Sequence, residues 1–362
     1  MGNENLTAPV RKQQYTMLDL AKFLCALLVL CYHYFSEHGS LPMLIEEALS
    51  LYAVAVALFM VMGGFLVFEK LESIPGRDGR WKCVSRQVIR ILKIYLLWSV
   101  VYIAYTVSRW DLSAISAGFV FSQLRQWIFN STFYTIWFMP SLAFGLLLAF
   151  WVTEKLPRGA VWALTAAMYL VGALTLTYAK FFVAVPGSGW ITDLVNTWLG
   201  GPRGWMFYGF PMIMVGRSMV KFRARREQWH SKPHWQLWMA LSVISMLLLL
   251  GEALILRCLV GPTGIDMTMM MPVAGFCILG FLLSVRLPEG GYLVWMRRMS
   301  VLIFVSQRIF LTVIPDFLPQ AVMDRIYGDQ YLGAVVTCGG TVVFSAAVIF
   351  LSGRWKWMKN LY

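Results

Sequence analysis

Lys22 and His33 lie inside the first membrane-length apolar run of this chain, Met17-Leu-Asp-Leu-Ala-Lys-Phe-Leu-Cys-Ala-Leu-Leu-Val-Leu-Cys-Tyr-His-Tyr-Phe35. An ionisable side chain at membrane depth costs roughly 2.5–3.5 kcal/mol on insertion scales, so it normally faces protein or a wet cavity and marks function. Asp19 joins them. At about 100° per residue, Lys22 lies about 60° round the helix from Asp19, and His33 about 20° from Lys22, so all three share one face. Lys22 and His33 are about 16 Å apart along the axis, which makes a polar stripe running from one membrane surface towards the other. His33 is the candidate general base, because neutral imidazole can take a proton near pH 7. Asp19 is more than about 20 Å of helix away and cannot orient it. Glu37, one turn beyond His33, could, and Glu252, near the outer end of the seventh apolar run, is a second candidate carboxylate. The plainer reading puts His33 in an aromatic belt with Tyr32 and Tyr34. The aligned Lys22 favours the functional one.

A second group is basic. Arg86, Arg90 and Lys93 follow one another at spacings of four and three, so they share a helix face at the mouth of the third span. With Lys22 they form a candidate site for the phosphates of an anionic cofactor, since Lys and Arg supply charge-assisted donors. The competing reading is that juxtamembrane cations touch lipid phosphate. Arg203, in Gly-Pro-Arg-Gly204, opens the sixth span and is a candidate for holding an anionic or hydroxyl-rich acceptor, or else an anchor to headgroups. Trp137 and Trp205 fit interface anchors better than sugar platforms; Trp137 is kept beside Glu37 and Arg203 as a candidate acceptor contact. Asp266 reads as a helix N-cap in solvent. His230 and His234 flank Pro233 in a basic loop, a poor setting for a metal, and no metal site is expected.

These side chains must be positioned by membrane helices. Hydrophobic residues make up 59% of the 362, and charged residues only 14%, well below the soluble norm of about 25%. Alternating ten-residue strand patterns are absent, so the expected fold is all-α, a polytopic transmembrane helical bundle of about ten spans. The spans read as 17–35, 50–68, 91–108, 135–152, 160–179, 204–220, 235–256, 267–285, 300–315 and 332–352. The net charge of +13 does not point to nucleic acid, because the basic residues are sorted by membrane side. One side takes Arg11 and Lys12, the 69–93 cluster, Lys155, Arg158, the 221–232 cluster, Arg286, Arg297, Arg298, Arg354, Lys356 and Lys359. The other takes Arg109, Arg125, Lys180, Arg203, Arg257 and Arg325, with Glu37, Glu46, Glu47, Asp316, Asp324 and Asp329. The bias puts both termini in the cytoplasm of a multi-pass inner (plasma) membrane protein.

Three parts are expected: a polar cytoplasmic tail over 1–16, a single membrane domain over 17–355, and a cytoplasmic tail over 356–362. No small-residue cleavage site follows the first apolar run, so it reads as an uncleaved helix. Asn5-Leu-Thr7 falls on the cytoplasmic side and is discounted as a glycosylation site. Pro75-Gly76 and Asp78-Gly79 read as turns, the partly apolar 109–134 as an interfacial or re-entrant helix, and 180–204 as irregular. The six cysteines form no CxxC pair and no disulfide framework. No internal repeat of the kind many transporters carry is visible.

Lys22 and His33 enclose ten residues, which resembles the basic-x10-His signature of the acyltransferase 3 family of integral membrane acyltransferases, where Arg is the usual basic residue. Phe59-Met-Val-Met-Gly-Gly-Phe-Leu-Val-Phe68 resembles that family's "FFxxSGFLxx". Arg86-Gln-Val-Ile-Arg-Ile-Leu-Lys-Ile-Tyr-Leu-Leu-Trp98 resembles its basic entry to the third helix, and Ile136-Trp-Phe-Met-Pro-Ser-Leu142 its "HLWFLPAL". Arg203-Gly-Trp-Met-Phe-Tyr-Gly-Phe-Pro-Met-Ile-Met-Val-Gly216 is similar to "RNGLFFGFPFFxLG", and Ser300-Val-Leu-Ile-Phe-Val-Ser-Gln307 to "SxxIYxxH". The likeness covers nearly the whole chain and extends to the membrane half of vancomycin-resistance serine racemases. It implies transfer of an acyl group, usually acetyl, from cytoplasmic acyl-CoA (acetyl-CoA) to a hydroxyl of an exported or cell-surface glycan, with membrane lipid as surroundings. The basic mouth would take the CoA phosphates, Lys22 would stand in for the motif arginine, and His33 would act as base or carry the acyl group. Three positions depart: Lys22 loses the arginine fork, and Thr135 and Gln307 replace histidines. A carrier for a small solute such as an amino acid, and a non-catalytic envelope partner, are the other readings.

Overall fold

The computed structural model describes residues 15–38, 52–111, 113, 115–133, 135–228, 234–261 and 265–362. Most of the N-terminal tail, with Arg11, Lys12 and Asn5-Leu-Thr7, lies outside the described residues, as do Glu46, Glu47, His230 and Lys232. Eleven helices carry the architecture: α1 (Thr16–His38), α2 (Tyr52–Glu72), α3 (Arg77–Ser108), α4 (Ala117–Phe129), α5 (Phe138–Lys155), α6 (Arg158–Thr175), α7 (Phe210–Gln228), α8 (Trp235–Val260), α9 (Met271–Ser284), α10 (Gly291–Arg308) and α11 (Gln330–Leu351). The chain is a polytopic helical bundle, as its composition predicts. Each of the ten expected spans overlaps one of these helices. Seven segments among the described residues are long and apolar enough to cross a membrane unaided: α1, α2, α3, α6, α8, α10 extended to Phe317, and α11. Of the other three, α9 has only 14 residues, short of the roughly 20 a bilayer requires, and α7 carries Arg217, Lys221, Arg223 and Arg225 from its eighth residue onward.

Burial sorts the helices into centre and rim. The apolar window of α2 is 72% buried, against 28% for α8 and 22% for α11, so α2 is the axis of the bundle and α8 and α11 present Leu, Ile and Val outward to lipid. Close approach at the axis needs glycine. A Cβ on Gly64 would stand 2.8 Å from Ile213 Cα, and one on Gly216 would stand 2.6 Å from Phe65 N and overlap the Val61 carbonyl. α2 and α7 therefore touch backbone to backbone, the arrangement small residues permit in membranes.

Local signals are overruled in three places. Asp78-Gly79, expected to turn, is the first turn of α3; the chain reverses only at Pro75-Gly76, where Gly76 takes φ 74°, a conformation glycine adopts without cost. The 180–204 stretch contains short helical turns, 189–193 and a π-helical Leu194–Trp198, before its glycines break the chain at Gly200 and Gly201 with positive φ. The final residues fold back as a 3-10 turn over Lys356–Leu361. There the Leu361 carbonyl accepts from Trp98 Nε1 at 3.1 Å. The 109–134 stretch does hold a helix, α4, capped by Ser116 Oγ on Phe119 N (3.1 Å). Replacing Gly216 by Leu should push α2 and α7 apart and lower stability by about 1–3 kcal/mol or more, read as a lower unfolding temperature of the detergent-solubilised protein; an unchanged transition would contradict the backbone contact.

Candidate active site

The polar stripe of α1 is held by α10. Arg297 and Arg308 are eleven residues apart, about three turns, and so share a face, just as Lys22 and His33 do on α1. Arg297 makes a two-pronged pair with Asp19, Nε to Oδ1 at 2.8 Å and Nη2 to Oδ2 at 2.6 Å. Arg308 joins the other end. Its Nη1 meets the Glu37 carboxylate at 2.7–2.8 Å and its Nη2 lies 3.1 Å from His33 Nδ1. Both contacts run in the same order along the two chains, so α1 and α10 are parallel.

At the Arg297 end a cavity of about 650 Å³ opens between α1, α2, α3 and α10. Its lining includes Lys22, Lys70, Arg86, Arg90, Arg297 and Asp19. A second hollow of about 310 Å³ shares Arg90 and Arg297 and adds Arg298 and Lys359. Asp19 is taken by Arg297, so Lys22, Lys70, Arg86 and Arg90 form no ion pair among the described residues. The result is a basin of uncompensated positive charge suited to an anion with several oxygens. Lys93 is exposed and does not line it.

The other end is polar but balanced. Arg308 is wholly buried and also meets Thr312 Oγ1 at 3.4 Å. Tyr52 lies beside His33, with ring centroids 5.8 Å apart, and is stacked on Tyr32 at 3.5 Å. The Tyr52 hydroxyl donates to Asp266 Oδ1 at 3.4 Å, and Arg203 Nη2 pairs with Asp266 Oδ2 at 2.5 Å. One chain of contacts thus runs Glu37, Arg308, His33, Tyr52, Asp266, Arg203. The carboxylate of Asp266 holds the Arg203 guanidinium above its ordinary pKa, against the opposing effect of burial. Asp266 is 6% exposed and caps no helix in solvent: α9 begins five residues later, and the side chain is spent on Arg203 and Tyr52. Both arginines sit at π-helical turns, Arg203 just before Trp205–Gly209 and Arg308 just before Ile309–Val313, backbone departures that recur at functional sites.

Of the residues singled out by sequence, Lys22, Arg86 and Arg90 meet at the basin, and His33, Glu37 and Arg203 at the far end. Trp137 stands one layer away from the latter, edge-to-face on buried Tyr208 at 5.6 Å. Ser141 of the same helix donates to the Arg203 carbonyl at 3.5 Å. Glu252 is elsewhere. It accepts from Met269 N (2.6 Å), Met270 N (2.9 Å) and the Tyr178 hydroxyl, which makes it the anion that holds the backbone amides just ahead of α9. Arg308, Tyr52 and the pairing of Asp266 were not anticipated. Arg308 carries the signal that exposed Lys22, a charge inside a membrane-length segment. The two family-histidine positions are buried: Gln307 donates to the Phe304 carbonyl at 3.0 Å, and Thr135 Oγ1 has no partner among the described residues. The basin's lining reaches Lys22 and does not include His33.

Fold and site together define a multi-pass membrane protein with a cationic pocket at one end and a histidine cluster at the other. Residues 15–351 match the family model described as an acyltransferase domain, acyltransferase 3. The chain belongs to that family. It is similar to an amino-acid racemase of Enterococcus faecalis, 22% identical over 206 residues, covering 57% of this chain and 29% of the relative. It is also similar to a serine/alanine racemase of Enterococcus gallinarum, 24% identical over 218 residues, covering 58% and 30%. The chain thus matches less than a third of the length of either relative. No solved structure matches.

The two ion pairs should differ in cost. Glu37→Gln leaves a fully buried guanidinium without its carboxylate, which is expected to destabilise by about 3–5 kcal/mol. Asp19→Asn leaves Arg297, 54% exposed, to be solvated, and should cost about 1 kcal/mol or less. Denaturant unfolding of both variants would reverse this order if Arg308 were solvated.

Proposed function

We propose that the protein is an O-acyltransferase of the plasma membrane, carrying an acyl group, acetyl being the smallest common one, from cytoplasmic acyl-CoA to a hydroxyl of a cell-surface or exported glycan. The observation that carries this is the division of one helix pair into a basin of unpaired cations at Lys22 and a histidine cluster about 16 Å further along α1, in a chain of the acyltransferase 3 family. The donor's phosphates and nucleotide are anionic, and Lys22, Arg86, Arg90 and Arg297 supply donors for them. Its long thioester arm spans the distance to His33. There the acceptor hydroxyl is met by His33, with Glu37, Trp137 and Arg203 as contacts for a hydroxyl-rich ligand. On this reading the basic end and both termini face the cytoplasm, in accord with the positive-inside rule.

A second reading keeps the fold but makes the protein a carrier of a small amino acid. The names of the curated relatives, an amino-acid racemase and a serine/alanine racemase, favour it. The two separate in one assay. Membranes containing the protein, given labelled acetyl-CoA and cell-envelope glycan, should transfer label to the glycan. His33→Ala should lower that transfer by about 10²-fold or more, and Arg90→Gln should raise the KM for the donor about tenfold, the loss of one charge-assisted hydrogen bond. Uptake of labelled amino acid that needs no acyl-CoA and survives His33→Ala would overturn the enzyme in favour of the carrier.

A further inference from the structure

Arg308 determines what His33 can do. A guanidinium carries five N–H donors, has no lone pair to offer and keeps its charge in any protein setting. Its Nη2 lies 3.1 Å from His33 Nδ1, so in that contact Nδ1 must be the acceptor. A neutral imidazole has one proton, which is then on Nε2. The doubly protonated ring is excluded too, because it would press an N–H against an N–H beside a second positive charge. The fork is not free to turn away. Its other nitrogen, Nη1, is held by the Glu37 carboxylate and Thr312, and the whole side chain is 0% exposed.

Histidines that work as bases are usually wired the other way. A carboxylate accepts from Nδ1–H and leaves a bare Nε2 to take the proton. Here a carboxylate is present, but Glu37 reaches the ring through the guanidinium, and the interposed cation inverts the polarity. Nδ1 is covered by a donor, and Nε2 already holds its proton.

We infer that Arg308 locks His33 as the Nε2–H tautomer, so that His33 acts in acyl transfer as a hydrogen-bond donor to the thioester carbonyl, with Arg308 as its positioning residue. This rests on the acyl-transfer reading above. The acceptor oxygen bonds to the carbonyl carbon while the negative charge that develops on the carbonyl oxygen is held by Nε2–H. The C–S bond then breaks, the sulfur takes the proton given up by the hydroxyl, and ester and free thiol are the products. His33 ends in the protonation state in which it began.

Two measurements on the full chain in lipid nanodiscs test this. With 15N-labelled histidine, nitrogen shifts distinguish protonated from bare ring nitrogens, and comparison with His33→Ala assigns His33 among the four histidines. The expected result is a bare Nδ1 and a protonated Nε2 at neutral pH; a proton on Nδ1 overturns the inference, whatever the activity. In the transfer assay, His33→Gln keeps an N–H donor but has no basic nitrogen, and should retain substantially more activity than His33→Ala. The alanine variant should fall by about 10²–10³-fold, the cost of one oxyanion donor. Equal loss in both variants overturns the donor role. A wild-type chain that transfers nothing would sink the proposed function instead, and the spectra would still decide the tautomer.

Discussion

Two parallel helices, each with polar side chains eleven residues apart, set the terms for everything else. Eleven residues is about three turns of α-helix, so Arg297 and Arg308 on α10 fall in register with Asp19 and with His33 and Glu37 on α1. The pairing of wholly buried Arg308 is expensive to break, because removing Glu37 strands the guanidinium, whereas half-exposed Arg297 can be solvated. It is therefore better at fixing register than at adding net stability. A one-residue slip of α10 would turn both arginines about 100° away from α1 at once. Between the two contacts the same faces are apolar: Ala26 and Val29 on α1, and Phe304 on α10, are buried. The polar ends are fixed relative to each other by a dry seam.

The central helix contributes in a different way. α2 supplies no charged group to the histidine cluster, yet Gly64, together with Gly216 of α7, lets those two helices meet at backbone distance. Tyr52, the first residue of α2, lies against His33 and reaches Asp266. The segment carrying Asp266 is itself pinned by Glu252, whose oxygens take the amides of Met269 and Met270. Glu252 thus supports the far site through the backbone leading into α9.

What could be read in advance follows from range. The helical class and the Lys22–His33 stripe are local properties of composition and spacing, and both were legible. Arg86 and Arg90 were legible as a shared face. Arg308 carried the same local signal, a charge inside the 300–315 span, but its role shows only once its spacing to Arg297 is seen against a partner helix. Asp266 and Glu252 were visible as acids, but their roles depend on contacts more than 60 and about 17 positions away in sequence, respectively. No local pattern encodes such contacts. Asp78-Gly79 failed for the converse reason: a local turn signal lost to the continuation of a long helix, with Gly76 already making the reversal.

Charge balance separates the two ends more sharply than position does. At the basin one acid, Asp19, faces Lys22, Lys70, Arg86, Arg90 and Arg297, and it is already engaged. That end holds several cations in excess and attracts polyanions. At the histidine cluster Arg308 is matched by Glu37, and Arg203 by Asp266. Counted over the described residues, this end is close to neutral and dense in donors and acceptors, which suits an uncharged, hydroxyl-bearing ligand and gives an anion little net attraction. A reaction joining an anionic donor to a neutral acceptor needs that asymmetry, since a site equally positive at both ends would hold the spent donor as firmly across the seam as in the basin. Among the described residues, the neutrality of the far end depends on Glu37 and Asp266. Removing either would convert it into a second anion site, and the direction imposed along α1 would be lost.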